Sequence, residues 1–241
     1  MRRFGLIGKP LGHSFSAKYF NEKFSRENLN DHIYELFELP NIEALPDLLA
    51  RHGDLVGLNV TIPYKEAVIQ YCDSLTDEAQ AIGAVNCLLL KDNKIIGHNT
   101  DAVGFKLSIR PFLEPQHDRA LILGTGGAAK AVRYILKDLG IPCAMVSRNN
   151  GDLTYDMLSP QLVAACKLIV NCSPVGTFPN VDDIPQIPLE TIGKDHFVID
   201  LIYNPEMTKL LVASAERGAL VLNGADMLRF QADRAWSFWN E

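Results

Sequence analysis

The sequence has no unbroken apolar run of the roughly eighteen residues that a membrane-crossing helix needs, which excludes a helical membrane span. It has no C-x-x-C pair, and its five cysteines, Cys72, Cys87, Cys143, Cys166 and Cys172, are odd in number and scattered. That argues against a disulfide framework or a zinc site and points to a reducing, cytoplasmic compartment. None of the six histidines stands at metal-ligand spacing, and no G-x-S-x-G turn is present. Metallohydrolase and serine-hydrolase chemistry fall away, and no metal is expected. Blocks of like charge, repeats and low-complexity stretches are missing too. A net charge of -6 leaves no basic footprint for nucleic acid. The amino-terminal residues break at Gly5, Gly8 and Pro10, so they lack a signal-peptide core.

What is present is a chain of 241 residues, 47% hydrophobic, enough for one large or two small domains. Apolar runs at Phe4–Ile7, Ile33–Glu38, Leu55–Ile62 and around Ile95-Ile96 predict strands. They alternate with helical spacing from about Ala17 and over Asn41–Arg51. A further helix is expected between Lys65 and the next strand, with Asp77 near its end. This alternation predicts an α/β architecture with a mainly parallel sheet. From Asp101 to Phe112 the pattern is helical, then the buried run Arg119–Leu123 enters Gly124-Thr125-Gly126-Gly127-Ala128-Ala129. A helix to Leu139 and a strand at Cys143–Val146 follow, and strands recur at Leu168–Asn171 and Phe197–Asp200.

Two polar segments follow strand ends. Pro63 cannot join a ladder, so Lys65 is held just past the Leu55–Ile62 strand, and Asn99-Thr100-Asp101 follows the Ile95-Ile96 strand. A lysine facing an aspartate across a cleft is a proton-handling pair. Ser14 and Ser16 flank a helix start, where they serve either as caps or as ligands for a carboxylate or diol. Asn86 interrupts an apolar run and is either a structural bracket or a substrate ligand. Asn171, Ser173 and Tyr203 stand at strand ends, and Asp200 reads alternatively as a buried structural acid.

The G-x-G-x-x-A turn sits between a strand and a helix, the context a dinucleotide site requires. Gly124 permits the tight turn and Gly126 lets the main chain approach a pyrophosphate at a helix N-terminus. At the end of the second strand, where NAD binders carry an acid, the sequence reads Ser147-Arg148-Asn149-Asn150. A guanidinium grips a 2′-phosphate, so NADP is expected over NAD.

Taken in order, I-G-K-P-L-G-H-S-F-S, N-V-T-I-P-Y-K, G-A-V-N, H-N-T-D-A-V-G, L-G-T-G-G-A-A, N-C-S-P-V-G-T, D-L-I-Y-N-P and G-A-D-M-L-R-F-Q-A resemble the shikimate dehydrogenase family over essentially the whole chain. The resemblance implies two α/β domains with a cleft between them. One is a substrate domain over residues 1–101, completed by C-terminal helices at 223–241, and the other a Rossmann-type NADP domain over 102–222. It implies a cytoplasmic NADP-dependent oxidoreductase reducing 3-dehydroshikimate to shikimate, a monomer or homodimer with a small-molecule partner and neither nucleic acid nor membrane.

By the same resemblance Lys65 and Asp101 are catalytic. Ser14, Ser16, Thr61, Asn86, Tyr203 and Gln231 hold substrate, with Asn59 in support. Gly124, Thr125, Gly126, Gly127, Ala128, Ser147 and Arg148 hold the cofactor, and Asp77, Leu201 and Gly224 line its nicotinamide side. Ala17, Phe20 and Asp226 depart from the family pattern, and the short stretch from Asn150 to Cys166 implies an abbreviated adenine side with weakened NADP affinity. The competing readings are a quinate/shikimate dehydrogenase with relaxed or NAD specificity, a non-catalytic NADP- or ligand-sensing protein, and a folate-type methylene dehydrogenase.

Overall fold

The structure is a computed structural model describing residues 1–12 and 14–241; His13 of the H-S-F-S segment lies outside the described residues. The chain forms two compact units, residues 1–100 with 232–241 and residues 101–231.

In the first unit the elements run β1 (Arg2–Gly8), α1 (Phe15–Arg26), β2 (His32–Glu38), α2 (Leu45–Arg51), β3 (Leu55–Val60), β4 (Ser74–Leu75), α3 (Asp77–Ile82), β5 (Cys87–Lys91) and β6 (Lys94–His98). They build a six-stranded sheet of order β2-β1-β3-β5-β6-β4. The β1–β2, β1–β3 and β4–β6 pairs are parallel. The β3–β5 and β5–β6 pairs are antiparallel, so the sheet is mixed. Strand alternation sends Phe4, Leu6, Cys87 and Leu89 to one face, where Phe20 and Phe24 of α1 meet Ala235, Phe238 and Trp239. Ile7, Leu58, Val60 and Leu88 point to the other face, covered by Leu45, Leu48, Val68 and Ala79. Gly57 is glycine because a side chain there would overlap the Trp239 indole, whose Nε1–H donates to the Leu88 carbonyl at 2.9 Å.

The second unit contains α4 (Asp101–Ile109), β7 (Ala120–Leu123), α5 (Gly127–Asp138), β8 (Cys143–Ser147), β9 (Leu153–Thr154), α6 (Pro160–Ala165), β10 (Leu168–Asn171), β11 (Phe197–Asp200), α7 (Lys209–Ala215), β12 (Leu220–Leu222) and the start of α8 (Ala225–Trp239). Its six strands are all parallel, in the order β12-β11-β10-β7-β8-β9. This is the doubly wound order 3-2-1-4-5-6, with the direction of winding reversing between β7 and β10.

Several expectations change. The helix assigned between Lys65 and the next strand is a short 3₁₀ turn at Ala67–Tyr71 followed by β4. Asp77 therefore opens α3 rather than ending a helix, with Thr76 as N-cap accepting from the Ala79 N–H at 3.3 Å. The first-unit sheet also carries an antiparallel β5–β6 hairpin. Its loop, Asp92-Asn93, has positive φ at both residues (52° and 57°), the handedness that matches twisted strands. The α4 helix stops at Ile109 and continues as a 3₁₀ turn, because Pro111 lacks an N–H. The stretch from Asn150 to Cys166, short as it is, holds β9, a 3₁₀ turn and α6. A single helix, α8, forms the C-terminal segment, and its residues divide between the units at Gln231/Ala232.

Candidate active site

In the first unit the polar candidates gather where β3 and β6 end. Both strands are antiparallel to β5, so their C-terminal ends lie at one edge of the sheet. Asn59 on β3 accepts from the Tyr34 hydroxyl at 2.8 Å and donates to the Asn86 carbonyl at 3.4 Å. The Asn86 side chain brackets Thr100, accepting its N–H at 2.7 Å and donating to its hydroxyl at 3.0 Å. Asn59, Asn86, Asn99 and Thr100 are all buried, so these bonds offset the cost of removing the amides from water. They also fix the backbone immediately before Asp101, the buried first residue of α4.

Tyr34 was not among the sequence candidates. Burial pushes its phenol above the usual tyrosine range, opposed by a hydrogen bond from Ser16. Its ring stacks on Phe20, with centroids 4.7 Å apart. Alternation within β2 was the only available signal. Ser16 is buried, and Ser14 stands at the N-cap of α1, where its hydroxyl makes no capping bond among the described residues. Thr61 donates its N–H to the Ile7 carbonyl at 2.9 Å, and its methyl lies so close to Gly8 that a side chain there would overlap it. Lys65 is fixed through its carbonyl, which accepts from the Val85 N–H at 2.7 Å.

In the second unit the glycine turn opens α5. Gly124 has φ +121°, a conformation side chains resist, and a Cβ there would lie 3.2 Å from the Cys172 carbonyl. At Gly126 a Cβ would meet nothing within 4 Å among the described residues. Gly126 is also the N-cap and has no side chain to occupy the first N–H groups of the twelve-residue helix. A cradle of free N–H groups with room above it fits a pyrophosphate, and Thr125, Gly127 and Ala128 continue the same turn.

Ser147 ends β8 and accepts the Asn150 N–H at 2.8 Å. Arg148 is exposed beside it. The nearest downstream acid, Asp152, is turned away, accepting the Met145 N–H at 2.8 Å and pairing with Arg133 at 3.3 Å. Leu201 and Gly224 meet: a side chain at Gly224 would overlap the Leu201 carbonyl. Tyr203 is 41% exposed beyond β11. Gln231 is buried on α8 and donates to the Leu228 carbonyl at 2.9 Å. There α8 packs so closely on α4 that a Cβ at Gly104 would lie 2.6 Å from the Met227 carbonyl oxygen. No three His, Cys, Asp or Glu side chains converge as a metal site among the described residues.

The structure thus joins Ser16 to Asn59 through Tyr34 and Asn59 to Thr100 through Asn86, and separately joins the glycine turn to Cys172 and Leu201 to Gly224. Lys65 belongs to the first unit and Asp101 to the second.

Known proteins resemble this chain over nearly its whole length. A profile described as the shikimate dehydrogenase substrate binding domain matches residues 6–88. A shikimate dehydrogenase (NADP(+)) from Clostridium botulinum is 36% identical over 248 residues, covering 98% of this chain and 95% of that protein. One from Methanopyrus kandleri is 36% identical over 260 residues, covering 98% and 89%. The solved shikimate 5-dehydrogenase of Thermus thermophilus, in complex with NADP(H) and shikimate, superposes with a TM-score of 0.86 at 31% identity, covering 99% of this chain and 93% of that one. The chain belongs to the shikimate dehydrogenase family.

Proposed function

We propose that this protein catalyses the reversible NADPH-dependent reduction of 3-dehydroshikimate to shikimate, a step of aromatic amino-acid biosynthesis. The observation that carries the proposal is 36% identity, over 98% of this chain, with an NADP-dependent shikimate dehydrogenase, with Lys65 and Asp101 present in their motifs. None of the five cysteines is joined in a disulfide among the described residues, which supports a cytoplasmic setting.

Lys65 and Asp101 form the catalytic pair. Reduction of a ring carbonyl builds negative charge on its oxygen, and the Lys65 ammonium neutralises it and delivers the proton. Positioned proton transfer of this kind contributes typically about 10²–10⁴-fold. Asp101 orients the ammonium and accepts from a substrate hydroxyl. The Asn86–Thr100 bracket supports this role by fixing the backbone that Asp101 continues. Ser14, Ser16, Thr61, Asn86, Tyr203 and Gln231 offer hydroxyls and amides suited to a small, hydroxylated, anionic ring, and Asn59 supports Asn86.

NADPH, when bound, supplies the hydride. Residues Gly124–Ala128 would hold its pyrophosphate, while Ser147 and Arg148 would hold the adenosine 2′-phosphate. The diversion of Asp152 toward Arg133 supports this preference, because it leaves a guanidinium without a competing carboxylate at that strand end. Asp77, Leu201 and Gly224 would line the nicotinamide.

The test is a spectrophotometric assay of shikimate with NADP⁺, run beside quinate and NAD⁺. Turnover is expected with shikimate and NADP⁺. Preference for quinate or NAD⁺ would replace the proposal with the relaxed-specificity reading, and binding of both ligands without turnover would replace it with a sensor.

A further inference from the structure

The reaction leaves one buried acid unused. Asp200 ends β11 opposite Asn171, its register partner at the end of β10, and both side chains are 0% exposed. The carboxylate accepts from Asn171 Nδ2 at 3.0 Å, the Ile202 N–H at 3.1 Å and the Thr208 hydroxyl at 2.7 Å. Asn171 in turn accepts the Ser173 N–H at 3.0 Å and its hydroxyl at 2.6 Å, and donates to the Val175 carbonyl at 3.4 Å. Through two touching side chains, the loops after β10 and β11 and the N-cap of α7 are tied together.

From this we infer that Asp200, acting through Asn171, is a positioning residue for the nicotinamide half of the cofactor. The inference rests on the NADP reading above. A doubly wound sheet binds its dinucleotide across the reversal point, one mononucleotide over each half. The half made by β7, β8 and β9 carries Arg148, the proposed 2′-phosphate grip. The other mononucleotide therefore falls to the ends of β10 and β11, where Asp200 works.

Main-chain bonds join the same loops: the Phe178 N–H donates to the Asn204 carbonyl at 3.2 Å. The Leu201 N–H donates to the Asn171 carbonyl at 2.9 Å, and Gly224 donates to the Ile202 carbonyl at 3.1 Å. On the other side, Cys172 and Ser173 pack against Gly124. A shift of either loop would thus move the Leu201–Gly224 contact and one wall of the glycine turn together.

A purely structural role is the poorer account. Two apolar residues at these matched positions would serve the sheet at least as well as a buried carboxylate. They would, however, release Ser173, Ile202 and Thr208 at once. What the acid adds is the placement of the loops.

The experiment uses the full chain and compares two probes, NADP⁺ and adenosine 2′,5′-bisphosphate, which carries only the adenine half. Calorimetric titration of Asp200→Asn, in which one acceptor oxygen becomes a donor, is expected to show affinity for NADP⁺ about tenfold weaker, the scale of one charge-assisted hydrogen bond, with the fragment within about twofold of wild type. Should that variant fail to fold, Thr208→Val removes one of the three donors and is expected to show the same split, smaller. Equal losses for both probes would make Asp200 a general prop of the unit and overturn the inference, as would no loss for either. Wild-type protein that binds neither probe would overturn the NADP reading itself, and the inference with it.

Discussion

Under the function proposed above, the two units offer a ligand different materials. In the second the groups on offer are main chain: a glycine turn, the N-terminus of α5, and strand-end loops that leave no room for a side chain at Gly124 and Gly224. In the first they are side chains, a buried string of Ser16, Tyr34, Asn59, Asn86 and Thr100. A pyrophosphate is the same in every dinucleotide, so backbone amides suffice for it. A polyhydroxylated ring must be told from its isomers, and for that donors and acceptors have to be placed one by one. The second unit should therefore be vulnerable to atoms added, the first to atoms removed.

The largest effect is expected from Lys65→Ala. Initial rates should fall by about 10²-fold or more, while NADP⁺ affinity stays near wild type. A proportional loss of both would place the lysine in the scaffold instead.

Acid should test the units next. Burial, with the Arg234 charge adding to it and Glu241 opposing, lowers the His98 pKa to about 4; its Nδ1 bonds the Thr76 hydroxyl at 2.9 Å. A folded-state pKa below the unfolded one means that the unfolded chain binds more protons between pH 6.5 and about 4. The contribution is thus fully present above 6.5 and lost as pH falls toward 4, roughly 3 kcal/mol at most. Burial also lowers His117 and His196 in the second unit. Their Nδ1 atoms accept the Glu114 and Gly193 N–H groups. Hydrogen exchange across this range should show the first unit loosening, and His98→Asn should flatten its pH dependence. Coincident loosening in the variant and the wild type would remove His98 as the cause.

Gly124→Ala tests the vulnerability to addition. Its positive φ and the close Cys172 carbonyl should together cost about 1–3 kcal/mol, read as a raised KM for NADP⁺ with KM for shikimate little changed. Tyr34→Phe tests vulnerability to removal. It keeps the ring stack but leaves Asn59 Oδ1 without its donor, so a loss of about 1–2 kcal/mol is expected in denaturant unfolding. Unchanged stability would mean that water replaces the phenol.

How much of this was legible in the sequence also differs between the units. The second was readable because its main signal is local: Leu121–Ala129 shows strand, glycine turn and helix in one stretch. What was missed there, β9, α6, α7 and β12, are elements of two to seven residues, too short for periodicity to register. In the first unit the Leu55 strand and the α1 aromatics were readable from spacing. The β5–β6 pairing was not, although the apolar stretches on either side were, because Asp92-Asn93 is a weaker turn signal than Asn-Gly. The roles of Lys65 and Asp101 came from family resemblance. Local spacing shows only that each follows a strand end. Tyr34 escaped because its meaning lies in partners far along the chain; Asn171 and Asp200 were each legible at strand ends, Asp200 as a buried acid, but their pairing across β10 and β11 was not.

The division of α8 has a consequence for how the protein is made. Its last turns, with Ala235, Phe238 and Trp239, roof one face of a sheet whose strands are all synthesised before residue 101. During vectorial synthesis that face waits open through the whole of the inserted parallel-stranded unit, whose residues are all made by Gln231. The half of the molecule that leaves the ribosome first is thus the half that finishes folding last, and trimming the chain before Ala232 would strand it half-built.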